Sequence, residues 1–315
     1  MKFLLFEPMH EAGIKVLEEL GEVRMASAPD EDEIIQQLGD IDGCVVRARC
    51  GLTRRMLESA PKLKVAGRHG VGVDNIDLEA CTEHGVQVVN TPMATVEPVA
   101  EHAVGLIVAL SKRLAFSDRH LRQGNFGIKF QIQGREMRGR SLGVIGFGRI
   151  GRRVAEICHN GFGMNILYSD VVSAPDVEAA LGAKRVSMDA LLQSAEYVTV
   201  HVPLLPATTG LIGDREFGLM RPEAMFINTS RGPVVDEAAL CRALDAGQIR
   251  AAGVDVFEQE PTDPANPLFA MDNVIVTPHI ASATEEALVA MALVAEDIVA
   301  VLQGRAPNYP VNKLS

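Results

Sequence analysis

The stretch Ser141-Leu-Gly-Val-Ile-Gly146-Phe-Gly148-Arg-Ile-Gly151 has the residue types and spacing to hold a dinucleotide. A short apolar run leads into GxGxxG, a helical pattern follows, and Asp170 comes 19 residues after Gly151. GxGxxG alone is weak, because glycines punctuate many loops. A strand before it, a helix after it and an acid about 20 residues on complete the dinucleotide fingerprint. Gly146 permits a tight turn, Gly148 lets a pyrophosphate approach the backbone, and Gly151 lets helix and strand pack closely. The helix N-terminus adds unpaired N–H groups and the positive end of its dipole. Asp170 suits the adenosine ribose hydroxyls and repels a 2′-phosphate, while Val171 and Val172 bring no cation. NAD is therefore expected rather than NADP.

Three later segments carry polar groups where a core strand would not want them. They are Phe226-Ile-Asn-Thr-Ser-Arg231-Gly, Ala252-Gly-Val-Asp255-Val-Phe-Glu-Gln-Glu260-Pro, and Val274-Ile-Val-Thr-Pro-His279. An Arg, a Glu and a His after successive strands of one sheet can converge where open α/β sheets bind ligands. Arg231 can hold a carboxylate with two hydrogen bonds and polarise a neighbouring carbonyl. His279 can protonate that carbonyl oxygen as hydride arrives, and take the hydroxyl proton in reverse. Glu260 can orient His279 and keep its acid form available near neutrality.

Such groups need parallel strands to position them. Short apolar runs alternate with amphipathic stretches along the whole chain. Candidate strands come first at 3–6, 22–25, 43–46, 63–66 and 86–89. A second series lies at 142–145, 165–168, 197–201, 224–228, 251–254 and 274–276. Strands separated by helices imply βαβ units and parallel sheets. A helical stretch over 97–123 and a connector over 124–140 divide the two series, and 282–303 reads as one long Ala/Val-rich helix. The expectation is α/β: two doubly wound lobes with a cleft between them.

Composition narrows the partners. At 315 residues the chain is about twice the usual domain length. Its 30 basic and 41 acidic residues leave a net charge of −11, which repels nucleic acid and anionic membranes. Five scattered cysteines without a CxxC pair read as free thiols. The opening Met-Lys-Phe-Leu-Leu-Phe is too short for the core of an export signal. Neither a metal-ligand motif nor a membrane-length apolar run is present, and a cytoplasmic location is expected.

The chain resembles the D-isomer-specific 2-hydroxyacid dehydrogenases over nearly its whole length. The matching motifs are Gly67-Arg-His-Gly-Val-Gly-Val-Asp-Asn-Ile-Asp77, Asn90-Thr-Pro, Glu97-Pro-Val-Ala-Glu-His102, the glycine fingerprint, His201-Val-Pro-Leu-Leu-Pro206 and the three catalytic segments. They are most similar to the phosphoglycerate dehydrogenase branch. The resemblance implies a flavodoxin-like substrate domain over 1–96 plus 283–315 and a Rossmann NAD domain over 97–282. It implies Arg231, Glu260 and His279 as catalytic residues, with backbone N–H groups of Val71 and Gly72 on the substrate carboxylate. For NAD it implies Val71, Val99, Gly146, Gly148, Arg149, Ile150, Gly151, Asp170, His201, Val202, Pro203, Ser230, Asp255 and His279, with Asp255 on the carboxamide. It also implies a homodimer built largely around 97–123, where His102 reads as a packing or interface residue. Ending at Ser315, this is expected to be a short form, without the C-terminal domain through which serine feeds back on large phosphoglycerate dehydrogenases.

Substrate choice is read from the first lobe. Arg47, Arg49 and Arg68, with His69, follow two of its strands, and His69 stands where many relatives have a small residue. This cluster suits a second anionic group distal to the carboxylate, as in 3-phosphoglycerate or a sulfolactate-like acid. The alternative is a glyoxylate or hydroxypyruvate reductase, which needs no such cations. A different class, an NAD-sensing corepressor-like protein, would bind the cofactor without steady turnover. Aromatic residues make up only 4%, so a pocket for a bulky aromatic acid is not expected.

Overall fold

The computed structural model describes residues 1–314 and divides into two compact units, Met1–Thr95 with 283–314, and Val96–Ser282. The first holds a parallel sheet of β1 (Lys2–Leu5), β2 (Glu22–Met25), β3 (Gly43–Val46), β4 (Val65–Arg68) and β5 (Gln87–Val89), in the order β2-β1-β3-β4-β5. Alternate residues of each strand feed opposite faces, as the strand period requires. Leu4, Cys44, Val46, Ala66 and Val88 face one core, and Phe3, Leu5, Val45, Val65 and Val89 face the other. Burial on both faces explains why these strands read as apolar runs.

The second unit holds β6 (Ser141–Ile145), β7 (Asn165–Ser169), β8 (Lys184–Arg185), β9 (Tyr197–Val200), β10 (Met225–Asn228), β11 (Ala251–Val254) and β12 (Val274–Val276). All pair in parallel, in the order β8-β7-β6-β9-β10-β11-β12. The order reverses between β6 and β9, the switch point at which open α/β sheets bind ligands. Helices Val96–Lys112 and Arg149–Phe162 cover one face, and Met188–Ser194 and Glu237–Asp245 cover the other.

Two expected long helices are broken. The 97–123 stretch is interrupted at Arg113, whose backbone is left-handed at φ 54, between helices Val96–Lys112 and Leu114–Arg122. Arg113 lays its guanidinium over the Phe116 ring at 4.1 Å, and its carbonyl accepts from the N–H and hydroxyl of Ser117. No glycine or proline marks the break. Likewise 282–303 divides into Glu285–Ala292 and Val294–Leu302, because Leu293, at ψ 2, departs from helical geometry. Inside the connector, Phe126–Phe130 forms a 3₁₀ turn. Among the described residues no helix is long and apolar enough to cross a membrane.

The last helices are built into the first unit. A Cβ on Gly13 would lie 2.2 Å from the Ala292 carbonyl oxygen, so helix Glu11–Glu18 meets Glu285–Ala292 backbone to backbone. Gly13→Ala is expected to destabilise this unit by about 1–3 kcal/mol, the usual cost of overpacking. The check is a lower urea midpoint on the first unfolding transition.

Candidate active site

The glycine turn sits at the switch point. Gly146 follows β6 at φ +87, and a Cβ there would meet the backbone of His201, just past β9, at 2.8 Å. Gly151 lies against the Gly146 carbonyl, where a Cβ would come within 2.2 Å, whereas Gly148 faces open space. Gly148 begins helix Arg149–Phe162 with no side-chain cap, so its first N–H groups remain available. Arg149 is exposed beside them and Ile150 is half-buried. Asp170 accepts from Phe147 N at 2.5 Å and Val172 N at 2.9 Å, tying the turn to the end of β7. His201 Nε2 lies 2.9 Å from Thr199 Oγ1; burial keeps the ring neutral, pushed down to about 3. Val202 is half-buried and Pro203 exposed, while Val99 is buried in its helix. Thr229 Oγ1, at the end of β10, is buried without a partner among the described residues. An open glycine cradle, uncapped amides and a fixed acid fit a dinucleotide.

The three candidate catalytic residues follow β10, β11 and β12, which are neighbours in the sheet. Asn228 holds the first loop: its amide oxygen accepts from the N–H and hydroxyl of Ser230, and its amide nitrogen donates to Arg231 O. Gly232 lets that loop touch the next, since a Cβ there would overlap the Phe257 carbonyl. Glu260 Oε1 accepts from Phe257 N at 3.0 Å, and Oε2 lies 2.7 Å from His279 Nδ1. Burial pushes the Glu260 carboxyl up. Hydrogen bonds from His279 and Phe257, with the charges of His279 and Arg231, outweigh this and hold it below the usual range.

His279 occupies the left-handed region at φ 52, which costs a non-glycine residue roughly 1–3 kcal/mol unless neighbours fix it. Asp255 fixes it. Its carbonyl accepts from His279 N at 2.7 Å, and its fully buried carboxylate accepts from Ile280 N, Ala281 N and the Thr277 hydroxyl. His102 Nε2 is 3.0 Å from that same hydroxyl. Nothing in the sequence marks this role of His102, which lies 175 residues from Thr277.

In the first unit, Arg68 spans the loop after β4, donating to Gly72 O at 2.7 Å and to His69 O. Asn90 holds Val71 O at 2.8 Å, leaving Val71 exposed. Arg47 donates to Pro8 O, and Glu7 accepts from Arg49 N at 2.8 Å. His69, unlike the three arginines, lies buried. It is 4% exposed, Nε2 has no partner among the described residues, and burial, with Arg47 and Arg68 nearby, pushes its pKa down to about 3.

Residues 104–281 match the family model of the D-isomer specific 2-hydroxyacid dehydrogenase NAD binding domain. The chain is 43% identical to the D-3-phosphoglycerate dehydrogenase of Methanocaldococcus jannaschii, over 100% of this chain and 61% of that protein. It is 38% identical to the glyoxylate reductase of Thermococcus litoralis, over 99% of this chain and 97% of that protein. The holo form of Rhodotorula graminis D-mandelate dehydrogenase has a TM-score of 0.92 at 29% identity, covering 100% of this chain and 98% of that one. The chain spans about six-tenths of the length of the phosphoglycerate dehydrogenases from M. jannaschii and Archaeoglobus fulgidus.

The neutral histidines set an acid limit on stability. Unfolded His69 and His201 take up protons near pH 6.5, whereas the folded forms resist until about 3. Their contribution is therefore present above pH 6.5 and lost as pH falls toward 3. His69→Gln is expected to remove close to one proton from the uptake on unfolding, about 1–2 kcal/mol between pH 6.5 and 5. Urea unfolding at stepped pH checks this; an unchanged slope would count against a neutral His69.

Proposed function

The chain belongs to the D-isomer-specific 2-hydroxyacid dehydrogenase family, and from that premise we propose that it interconverts a small 2-hydroxy acid and its 2-oxo acid. The observation that carries this reading is the 2.7 Å pair of His279 Nδ1 and Glu260 Oε2, which follow β12 and β11, the two strands that succeed β10 and its Arg231 in the sheet. NAD, when bound, accepts or supplies the hydride. Arg231 holds the substrate carboxylate and polarises the carbonyl. With Nδ1 engaged by Glu260, His279 uses Nε2 to give a proton to the carbonyl oxygen, and takes it back in the reverse direction. Backbone N–H groups of Val71 and Gly72 also receive the carboxylate. Glycines 146, 148 and 151, with Arg149 and Ile150, receive the pyrophosphate, and Asp170 the ribose. Val99, His201, Val202, Pro203, Ser230 and Asp255 complete the cofactor contacts.

The favoured substrate is a dianionic acid of the 3-phosphoglycerate type. Arg47 and Arg49 supply the charge, and the 43% identity to a phosphoglycerate dehydrogenase supports the choice. A second reading is glyoxylate or hydroxypyruvate reduction, supported by the 38% identity to a glyoxylate reductase over 97% of that protein. We further propose a homodimer in a reducing, cytoplasmic compartment. Leu114, Leu121, Phe126 and Phe130 expose more than half of their surface, which suits burial against a second copy. All five cysteines are free thiols, as a reducing compartment favours.

The test is NADH oxidation with glyoxylate, hydroxypyruvate, phosphohydroxypyruvate, sulfopyruvate, oxaloacetate and pyruvate. His279→Ala is expected to lower kcat by about 10²–10⁴ with NADH binding retained. Preference for phosphohydroxypyruvate that falls in Arg49→Ala supports the dianion reading, and best activity on glyoxylate supports the second. A protein that binds NADH but turns over none of them would be a sensor. Phe126→Asp with Phe130→Asp is expected to yield monomers by light scattering.

A further inference from the structure

Asp170 has a cation beside it that the residues after it do not reveal. Arg185, on the short edge strand β8, pairs in register with Tyr168 of β7. Its guanidinium reaches the end of β7. There Nε and Nη2 donate to Asp170 O at 3.2 and 2.8 Å, and Nη2 donates to Val171 O at 3.1 Å. Both acceptors are neutral carbonyls, and among the described residues no carboxylate oxygen lies within ion-pair distance. Nη1 has no hydrogen-bond partner among the described residues, and the side chain is exposed. The Asp170 carboxylate meanwhile is held by Phe147 N and Val172 N. An acid and an uncompensated guanidinium thus flank one loop, whose Val171 and Val172 are 93% and 65% exposed.

We propose that Arg185 is a preformed partner for a ribose 2′-phosphate, kept silent by the single carboxylate of Asp170. The inference rests on the reading that Asp170 meets the adenosine ribose. Asp170 excludes a 2′-phosphate by repulsion and accepts the 2′-hydroxyl. With that charge removed, the remaining cation presents a planar donor fork to phosphate oxygens. Nucleotide preference in this chain is then set by two opposed charges, and changing one residue exposes the other.

Isothermal titration of the full chain with AMP and with 2′,5′-ADP separates the possibilities without turnover. Wild type is expected to bind AMP and to bind 2′,5′-ADP at least tenfold more weakly. Asp170→Ser, with Asp170→Asn as a variant that keeps an acceptor for Phe147 N, is expected to gain at least tenfold for 2′,5′-ADP. Adding Arg185→Ala should remove most of that gain while changing AMP affinity less than threefold. No gain in either Asp170 variant that still binds AMP, or a gain that survives Arg185→Ala, overturns the role of Arg185. Failure of the wild type to bind AMP or NADH would instead overturn the cofactor reading beneath it.

Discussion

The hydrogen bond between His279 Nδ1 and Glu260 Oε2 is the constraint around which the second unit is arranged. A histidine that moves a proton through Nε2 needs its other nitrogen engaged, or the ring is free to rotate and the tautomer is unset. Glu260 can do this because Phe257 N takes its second oxygen. His279 can do it because Asp255, buried and saturated with donors, holds the turn from Thr277 to Ala281 in a conformation that histidine rarely adopts. Gly232 then brings the Arg231 loop against the loop of Glu260, where an added methyl group would displace it.

Charge in the first unit is spent differently from what residue counting suggests. Four basic side chains lie at or just beyond the ends of β3 and β4. The guanidinium of Arg68 ties down the loop that carries Val71, and His69 is a buried neutral ring. Burial decides the second case, because desolvation disfavours the imidazolium and two neighbouring arginines repel it. Burial thus separates His69 from Arg47, Arg49 and Arg68, whose guanidinium groups keep their charge.

Much of this was legible in the sequence, and what was not has common physical causes. Parallel strands buried on both faces write themselves as continuous apolar runs, so β3 and β11 have the bounds their residues predict. The glycine turn was legible because few residues tolerate such close backbone approaches. By contrast, β8 is two charged residues, Lys184 and Arg185, with no apolar signature, so the guanidinium beside Asp170 was hidden with it. The break at Arg113 was hidden because a left-handed residue there is neither glycine nor asparagine. His102 and Thr277 are linked only through tertiary structure, and the charge state of His69 depends on burial that no local pattern encodes.

Proton transfer at His279 depends on the orientation of one imidazole, and its tautomer is the direct readout of that orientation. Nitrogen-15 spectra of histidine-labelled protein, assigned with His279→Gln, report which ring nitrogen carries the proton in the neutral form. Nδ1–H is expected in the wild type, donated to Glu260, with loss of that preference in Glu260→Ala. A wild-type His279 that is predominantly the Nε2–H tautomer would contradict this, because Nδ1 would then not be donating to the carboxylate.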